Sequence, residues 1–331
     1  MNGEFDGKVA VITGASTGIG RATALVLAER GATVVLAARE SQHLHELEQE
    51  ISLRGGRAMA VPTDVADFTQ VQHLAETAAQ SFGHIDVWIN NAAQSLYGTV
   101  EHTEVEEFRH LMEVNFLGQV HGTKAVLPIM RQQGHGIVIH VSSLEATSPV
   151  PLQAAYASTK AAISAFASVA RQELRGSGIH VCTVLPAGVD TPLFEHARSK
   201  EGFKPTTIAP IYDPFVVARA IASCVRRPRR EVLAGSAGRI FLLAGRLVPG
   251  LVEAATSRFG ARAQLTSIPE GPADDNFQRP RPVADPLRGG LTADAPWSSA
   301  EVWARAMLVM LGLAAVAGGV AAMKRSLSRK R

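Results

Sequence analysis

The chain has few of the residues that typify secreted, metal-bound or nucleic-acid-binding proteins. Only 2 of its 331 residues are cysteine, too few for a disulfide framework and consistent with a reducing compartment. The 11 histidines show no spacing typical of a metal site, so no metal is expected. Aromatic residues make up 5% of the chain and do not alternate with the basic residues. The composition therefore argues against nucleic-acid binding.

The small net charge conceals an asymmetry between the two parts of the chain. Residues 1–195 carry a formal charge of −8 and residues 196–331 a charge of +11. A basic part beside an acidic one predicts attraction to an anionic surface. The first residues are polar and lead directly into a predicted strand, so no secretory signal peptide is expected. The main domain is therefore predicted to be cytoplasmic.

A glycine-rich turn lies between the first two predicted strands. Residues 8–12 and 32–38 are short, apolar, β-branched runs typical of buried parallel strands. Between them, residues 21–30 have helical spacing and end at Gly31. This order suits a dinucleotide, because glycines let the backbone approach the pyrophosphate at a helix N-terminus. The residues of the turn predicted to bind this cofactor are Gly14, Ser16, Thr17, Gly18, Ile19 and Gly20.

Arg39 follows the second predicted strand, where an acidic residue would bind the ribose 2′-hydroxyl of NAD. An arginine there favours the 2′-phosphate of NADP instead. Glu40 comes directly afterwards and keeps NAD open as the alternative.

Strand and helix signals alternate along the rest of the first 190 residues. Such alternation predicts an α/β fold with a doubly wound parallel sheet, the Rossmann fold. In these sheets the ligand lies at the carboxyl ends of the strands, where Asn91, Ser143 and Gly188 fall. The further predicted strands are residues 58–65, 85–93, 137–143 and 179–188, with helices near 70–81, 104–130 and 155–175.

Tyr156 and Lys160 are four residues apart on a predicted helix and therefore lie on one face of it. An ammonium group beside a phenol is expected to lower the phenol pKa from its usual value of about 10. Such a tyrosine exchanges a proton with an alcohol or carbonyl near neutral pH. Together with a dinucleotide, the pair predicts redox chemistry.

Seven motifs, in order, resemble those of the short-chain dehydrogenase/reductase family over roughly residues 5–235. Two departures from the family pattern are visible. Ala93 stands where the family usually has glycine, and Ala187 lies between Pro186 and Gly188, where the family usually has proline directly followed by glycine. The matching motifs are residues 13–20, Asp64-Val65, residues 90–93, Asn115, Ser143, Tyr156-x-x-x-Lys160 and residues 186–192.

The resemblance implies a set of catalytic residues. Tyr156 would be the general acid in reduction and the general base in oxidation. Lys160 would lower its pKa and hold the nicotinamide ribose, while Ser143 would hydrogen-bond the substrate oxygen. Asn115 would kink its helix and hold a water that links Lys160 to solvent. The remaining implied cofactor contacts are Asp64 and Val65 at the adenine, Asn91 at the adenosine ribose with Ala92 beside it, and Val189 and Thr191 at the carboxamide.

These residues predict an NADP-dependent oxidoreductase that interconverts an alcohol and a ketone or aldehyde. Two alternatives stay open: an epimerase or dehydratase that uses its bound cofactor transiently, and a non-catalytic cofactor-sensing protein. A homodimer or homotetramer is expected. The pocket is predicted from residues 94–97 and 144–153 and from a lid, residues 193–212, that carries Phe194, Phe203, Ile208 and Ile211. These apolar lid residues favour a lipophilic substrate.

The chain ends in an apolar run followed by cations. Residues 306–323 carry no polar side chain and would extend about 27 Å as a helix. With tryptophans before it and five cations after it, the segment predicts membrane association, either spanning the bilayer or lying in its interface. The predicted organisation is thus a catalytic domain (1–260), a Pro/Gly-rich linker (261–301) and an apolar helix with a basic tail (302–331).

Overall fold

A computed structural model describes residues 3–235, 247–269 and 283–291, together with Gly238, Leu242, Gly245 and Phe277. Its centre is a seven-stranded sheet in the order β10-β7-β6-β4-β1-β2-β3, with every neighbouring pair parallel. The strands are β1 (Val9–Thr13), β2 (Thr33–Ala38), β3 (Arg57–Pro62), β4 (Val87–Asn90), β5 (Leu96–Tyr97), β6 (Gly136–Val141), β7 (Ile179–Pro186), β8 (Arg198–Ser199), β9 (Phe203–Pro205), β10 (Glu231–Ala234) and β11 (Leu265–Pro269).

Helices follow most strands and cover both faces of the sheet. They are α1 (Gly18–Glu29), α2 (Ser41–Leu53), α3 (Phe68–Phe82), α4 (Val105–Leu111), α5 (Gly118–Gln133), α6 (Ala154–Glu173), α7 (Pro192–Glu195), α8 (Pro214–Arg226) and α9 (Pro249–Ala263).

The central strands β1, β2 and β4 are largely apolar because they are buried on both faces. Along β1, Val9 and Val11 join the core on one face of the sheet, and Ala10 and Ile12 join the core on the other. Helices α1, α2 and α8 pack on the second of these faces, and α3, α5 and α6 pack on the first. The predicted doubly wound Rossmann fold is therefore confirmed.

The strand order reverses beside β1, which has β2 on one side and β4 on the other. Crossovers leave β1 and β4 in opposite directions, and so a crevice opens at the carboxyl ends of these two strands. The glycine-rich turn and the segment that contains Asn91 both begin there. The topology thus brings together segments that are 77 residues apart in the chain.

Several elements differ from the sequence prediction. The predicted helix near 104–130 consists of α4, a π-helical turn (Met112–Leu117) and α5. A seventh strand, β10, pairs with β7, although the sequence predicts only six strands. Part of the predicted linker is packed on the domain, because β11 pairs with β9 and Leu291 is buried.

The predicted apolar helix and basic tail, residues 302–331, lie outside the described residues. Within the described ranges, no helix is both long and apolar enough to cross a bilayer.

Candidate active site

The turn between β1 and α1 depends on glycine for its shape. Gly14 and Gly18 have φ angles of 65° and 52°, in the left-handed region that glycine adopts without strain. At Gly20 a Cβ atom would collide with the carbonyl oxygen of Gly14. The turn therefore brings its backbone closer to the start of α1 than side chains at these positions would allow.

Asn91 fixes this turn to the end of β4. Its side-chain amide donates to the carbonyl oxygens of Thr13 at 2.9 Å and Gly14 at 3.1 Å. Its backbone N–H donates to the Thr13 hydroxyl at 3.0 Å. The side-chain amide of Asn91 thus holds the turn in place. Asn91 also lines the cavity beside the turn.

A single cavity of about 1470 Å³ connects most of the residues predicted from the sequence. It runs from the glycine-rich turn to the residues around Tyr156. Two predicted residues, Gly20 and Asn115, are not among its lining residues. Those that do line it are Gly14, Ser16, Thr17, Gly18, Ile19, Arg39, Asp64, Val65, Asn91, Ala92, Ser143, Tyr156, Lys160, Val189 and Thr191.

Tyr156 and Lys160 lie on the buried face of α6 beside the end of β6. The Nζ atom of Lys160 lies 5.3 Å from the centre of the Tyr156 ring and donates to the Val141 carbonyl at 3.1 Å. The Ser143 side chain lies close enough to the Tyr156 phenol to lower its pKa. The geometry therefore places a phenol, a hydroxyl and an ammonium group together at the cavity wall.

The electrostatics of this group differ from the sequence expectation. Burial raises the pKa of Tyr156, Glu145 raises it further, and the Ser143 side chain lowers it. Burial also lowers the pKa of Lys160 to about 8, with Glu145 acting in the opposite direction. The lowered phenol pKa expected from the sequence is not found here, because burial of the phenol and the nearby Glu145 carboxyl both raise it.

Ser143 and its neighbour Ser142 have different surroundings, as strand alternation requires. The Ser142 hydroxyl donates to the carbonyl oxygen of Lys160 at 2.9 Å and lies 3.1 Å from the Ser164 hydroxyl. The Ser143 hydroxyl accepts the backbone N–H of Glu145 at 3.1 Å. Ser143 is therefore the serine associated with Tyr156.

Asn115 joins two segments of the chain by hydrogen bonds and does not line the cavity. It lies in the π-helical turn, and its side-chain amide pairs with both the N–H and the carbonyl of Gln94, at 2.8 and 2.9 Å. It also donates to the Thr159 hydroxyl at 3.2 Å. The residue thus ties the segment after β4 to α6, three residues after Tyr156.

Glu145 is a cavity residue whose importance the sequence does not reveal. Sequence analysis includes it only as a member of the predicted wall 144–153. Burial raises the pKa of its carboxyl to about 8, and Lys160 lowers it. An acidic residue two positions after the serine of the Ser-Tyr-Lys group is the only sequence signal that could have singled it out.

Arg39 lies at the end of the cavity furthest from Tyr156, near Asp64. Its guanidinium donates to the carbonyl of Phe277 at 3.2 Å, and partial burial lowers its pKa. The neighbouring Glu40 caps α2: its carboxylate accepts the N–H groups of Gln42 and His43 at 2.6 and 2.7 Å. Arg39 and Glu40 both line the cavity, and the Glu40 carboxylate is in addition bonded to a helix N-terminus.

Two other predicted cofactor residues have their own packing partners at this end. The Val65 carbonyl accepts a bond from His121 at 2.9 Å, and its side chain packs on Gly118. Asp64 turns its own carboxylate back to the N–H of Ala66 at 3.0 Å.

The segment 283–291 crosses the other end of the cavity. Asp190, between the predicted cofactor residues Val189 and Thr191, accepts the N–H groups of Gly289 at 3.1 Å and Leu291 at 2.9 Å. Arg288 pairs with Asp213 at 2.7 Å. The segment also reaches the glycine-rich turn, where Gly18 donates its N–H to Pro286 at 2.8 Å. Sequence reasoning does not predict any of these contacts.

Helix α9 and the β9–β11 pair complete the substrate side of the cavity. Tyr97, Phe194, Ile208 and Ile211 line it as predicted from the sequence. Phe203, also predicted for the lid, is 43% exposed and is not among the lining residues. Residues of α9, among them Val252, Phe259 and Arg262, lie on the opposite wall, which the sequence prediction lacks.

The described ranges contain no group of three or more His, Cys, Asp or Glu side chains that could hold a metal ion. Cys182 and Cys224 are both free thiols and both buried.

The fold and the cavity define a dinucleotide-binding α/β oxidoreductase, and comparisons with known proteins agree. The sequence profile of the short chain dehydrogenase family matches residues 8–202. An uncharacterized oxidoreductase of Bacillus subtilis is 36% identical over 273 residues, which are 81% of this chain and 77% of that protein. A bovine protein, dehydrogenase/reductase SDR family member 7B, is 35% identical over 256 residues, 73% of this chain and 78% of its own. The chain therefore belongs to the short-chain dehydrogenase/reductase family.

Among the solved structures of similar fold, one contains NAD and another contains NADPH. A short-chain dehydrogenase from Burkholderia phymatum in complex with NAD has a TM-score of 0.68 and 25% identity, covering 75% of this chain and 96% of its own. L-Sorbose reductase from Gluconobacter frateurii, complexed with NADPH and L-sorbose, has a TM-score of 0.63 and 27% identity, covering 70% and 97%. The protein is thus an oxidoreductase of the short-chain type, a family that binds NAD or NADP.

Proposed function

We propose that this protein reduces or oxidises a lipophilic alcohol/ketone or alcohol/aldehyde pair with NADP(H). The observation that carries this proposal is the single cavity shared by the glycine-rich turn, Arg39 and Tyr156. A dinucleotide bound along this cavity would supply or accept the hydride. The protein itself then has to hold the substrate, exclude water and move one proton.

In this proposal Tyr156 gives a proton to the substrate oxygen in reduction and removes it in oxidation. Ser143 hydrogen-bonds the same oxygen, and its closeness to the Tyr156 phenol, whose pKa it lowers, supports this role. Lys160 would hold the nicotinamide ribose and Asn115 would fix the loop and helix that position the site. The buried Lys160 ammonium would add positive charge beside the phenol as the proton leaves.

The surroundings of Arg39 support NADP over NAD. Arg39 lines the cavity, and a guanidinium has the charge and geometry for a phosphate. The Glu40 carboxylate, which could otherwise accept a bond from the ribose 2′-hydroxyl, is bonded to the N-terminus of α2. The remaining cofactor contacts of the proposal are Ser16 to Gly20 at the pyrophosphate, Asp64 and Val65 at the adenine, Asn91 and Ala92 near the ribose, and Val189 and Thr191 at the carboxamide.

An apolar substrate is supported by the side chains around the inner part of the cavity. Phe194, Ile208 and Ile211 line it. We further propose that residues 302–331 attach the protein to a membrane, where such a substrate would concentrate, and that the catalytic domain faces the cytoplasm. A homodimer or homotetramer is part of the same proposal.

The test is a substrate panel with purified full-length protein, read by the change in NADPH absorbance. Ketones of increasing chain length are compared with small polar sugars, and NADH is compared with NADPH. We expect turnover of the apolar ketones with NADPH. Tyr156→Phe should lower kcat by about 100-fold or more, because it removes the transferable proton, while leaving NADPH binding unchanged. Turnover of polar sugars alone would contradict the substrate class.

Net cofactor consumption separates the proposed reaction from transient cofactor use. An epimerase or dehydratase would convert its substrate without a lasting change in NADPH absorbance. The attachment to membranes is tested separately by sedimentation with anionic vesicles, using the full chain and a variant that ends at residue 296. Equal sedimentation of the two proteins would contradict membrane attachment through the C-terminal residues.

A further inference from the structure

Glu145 lies at the centre of the proposed reaction site although the proposed chemistry does not use it. It follows Ser143 by two residues in a short 3₁₀ turn (Leu144–Ala146), and its N–H donates to the Ser143 hydroxyl. Its side chain lines the same cavity as Tyr156 and Lys160. The backbone bond to Ser143 fixes the position of this side chain relative to the reacting group.

One oxygen of this carboxyl group lacks a partner in the described part of the chain. Glu145 Oε2 is inaccessible to solvent and accepts or donates no hydrogen bond to any described residue. The nearby ammonium of Lys160 does not form an ion pair with it, and instead donates to Val141 at 3.1 Å. A buried polar atom without a protein partner is destabilising, and in native proteins such an atom is explained by a catalytic or binding role, by strain, or by a bound water or ion.

Burial raises the pKa of the Glu145 carboxyl, and the charged groups near it modify this shift. Lys160 attracts the negative charge of the carboxylate and lowers the pKa of Glu145. The same negative charge raises the pKa of Tyr156 and of Tyr97. The other charged side chains that line the cavity are Arg39, Glu40, Asp64, Lys204 and Arg262. With a pKa of about 8, the carboxyl is largely neutral at physiological pH and can both donate and accept a hydrogen bond.

The cavity that the carboxyl lines contains both apolar and polar side chains, with Ser148 and Gln153 among the polar ones. Leu144 and Val150 line the cavity on the same segment, and Phe194 and Ile208 line it from the lid. A buried carboxyl oxygen without a partner favours a ligand that satisfies it, since an analogue lacking the partner group leaves the protein atom unbonded.

From this arrangement we propose that Glu145 is a substrate-recognition residue that hydrogen-bonds a second polar group of the substrate. The inference rests on the proposed function. It narrows the substrate class to apolar hydroxy ketones, or the matching diols, in which one oxygen reacts at Tyr156 and another binds Glu145. A simple hydrocarbon ketone would leave the carboxyl unsatisfied.

The experiment compares matched ketones that differ by one hydroxyl group, placed at successive carbons of an otherwise apolar chain. Wild type, Glu145→Gln and Glu145→Leu are assayed with NADPH, and Glu173→Gln, at the exposed end of α6, is the control. We expect wild type to prefer at least one hydroxy ketone over the plain ketone by tenfold or more in kcat/KM. Glu145→Leu should abolish this preference through its effect on the hydroxy ketone, and Glu145→Gln should retain part of it.

The possible results have distinct meanings. Equal preference in wild type and Glu145→Leu, or turnover of plain ketones without any hydroxyl preference, would overturn the inference and leave the proposed function intact. Absence of ketone turnover by wild type would overturn both. NADPH binding and the thermal unfolding midpoint of each variant identify misfolding. If Glu145→Leu misfolds, Glu145→Gln decides alone: its preference must fall below that of wild type and of Glu173→Gln.

Discussion

The backbone N–H of Gly18 donates a 2.8 Å hydrogen bond to the carbonyl oxygen of Pro286, nearly 270 residues further along the chain. Gly18 begins α1, and the N–H groups at this helix end are the ones expected to receive the pyrophosphate of a dinucleotide. A segment of the protein itself therefore competes for a donor in the proposed cofactor site.

Weakening the attachment of the segment 283–291 should strengthen cofactor binding. Arg288→Ala removes the bond to Asp213, an exposed pair worth about 0.5–1 kcal/mol. We expect the Kd for NADPH to fall about two- to fivefold, as measured by the fluorescence of bound NADPH. Arg54→Ala, which breaks the exposed Arg54–Glu50 pair on α2, is the control. A higher Kd in Arg288→Ala would mean that the segment holds the cofactor instead of competing with it.

Replacement of Gly20 by alanine should disrupt the turn. The added Cβ would collide with the backbone carbonyl of Gly14, which cannot move away as a flexible side chain could. We expect a loss of about 1–3 kcal/mol in the free energy of unfolding and weaker NADPH binding. Gly250→Ala is the matched control, since a Cβ there meets no atom within 4 Å. Similar unfolding midpoints and NADPH affinities in the two variants would contradict the steric argument.

Replacement of Arg39 by alanine should alter the choice of cofactor. If the guanidinium binds the 2′-phosphate, its loss removes a charge-assisted hydrogen bond of about 1.5–3 kcal/mol. The KM for NADPH should then rise by about tenfold or more, with little change in the KM for NADH. Arg57→Ala, on the exposed start of β3, serves as the control. Equal rises for the two cofactors would argue against phosphate recognition by Arg39.

The ionisation of Glu145 should make stability depend on pH. Its folded-state pKa of about 8 lies above its usual value of 4.5, so the folded protein binds the extra proton between these values. The contribution to stability is therefore complete below about pH 4.5 and is lost as the pH rises through 8. Glu145→Gln should become more stable relative to wild type over this window, by at most about 1.4 kcal/mol per pH unit.

Unfolding midpoints of wild type and Glu145→Gln, measured at intervals from pH 5 to pH 8, test this dependence. Lys160 affects a separate window, because its folded-state pKa of about 8 lies below its usual 10.5 and changes stability only between those values. A difference in midpoint that stays constant from pH 5 to pH 8 would show that the carboxyl does not titrate as described.

Local sequence patterns account for the central fold. The apolar runs of β1 and β2, the glycines between them and the spacing of α1 follow from strand burial, from the φ angles of the turn and from helix geometry. The four-residue spacing of Tyr156 and Lys160 likewise placed both on one helix face. Strand β10 is different, because its four residues carry little signal without the edge of β7 to pair with.

In the candidate active site, too, some features follow from the local sequence and others only from tertiary contacts. Residue types and spacing indicated which side chains would meet at the strand ends, since parallel strands end at a common edge. They did not indicate the direction of the Tyr156 pKa shift, which depends on how many atoms exclude water from the phenol and on the carboxyl of Glu145.

The sequence by itself therefore determined the parallel sheet, the glycine-rich turn and the alignment of Tyr156 with Lys160, because each depends on short-range geometry. The tertiary structure alone decided that Glu145 lies unsatisfied beside them, that α9 closes the cavity and that Pro286 reaches Gly18. These features depend on contacts between distant segments and on the water that such contacts exclude, and neither property is encoded in local spacing.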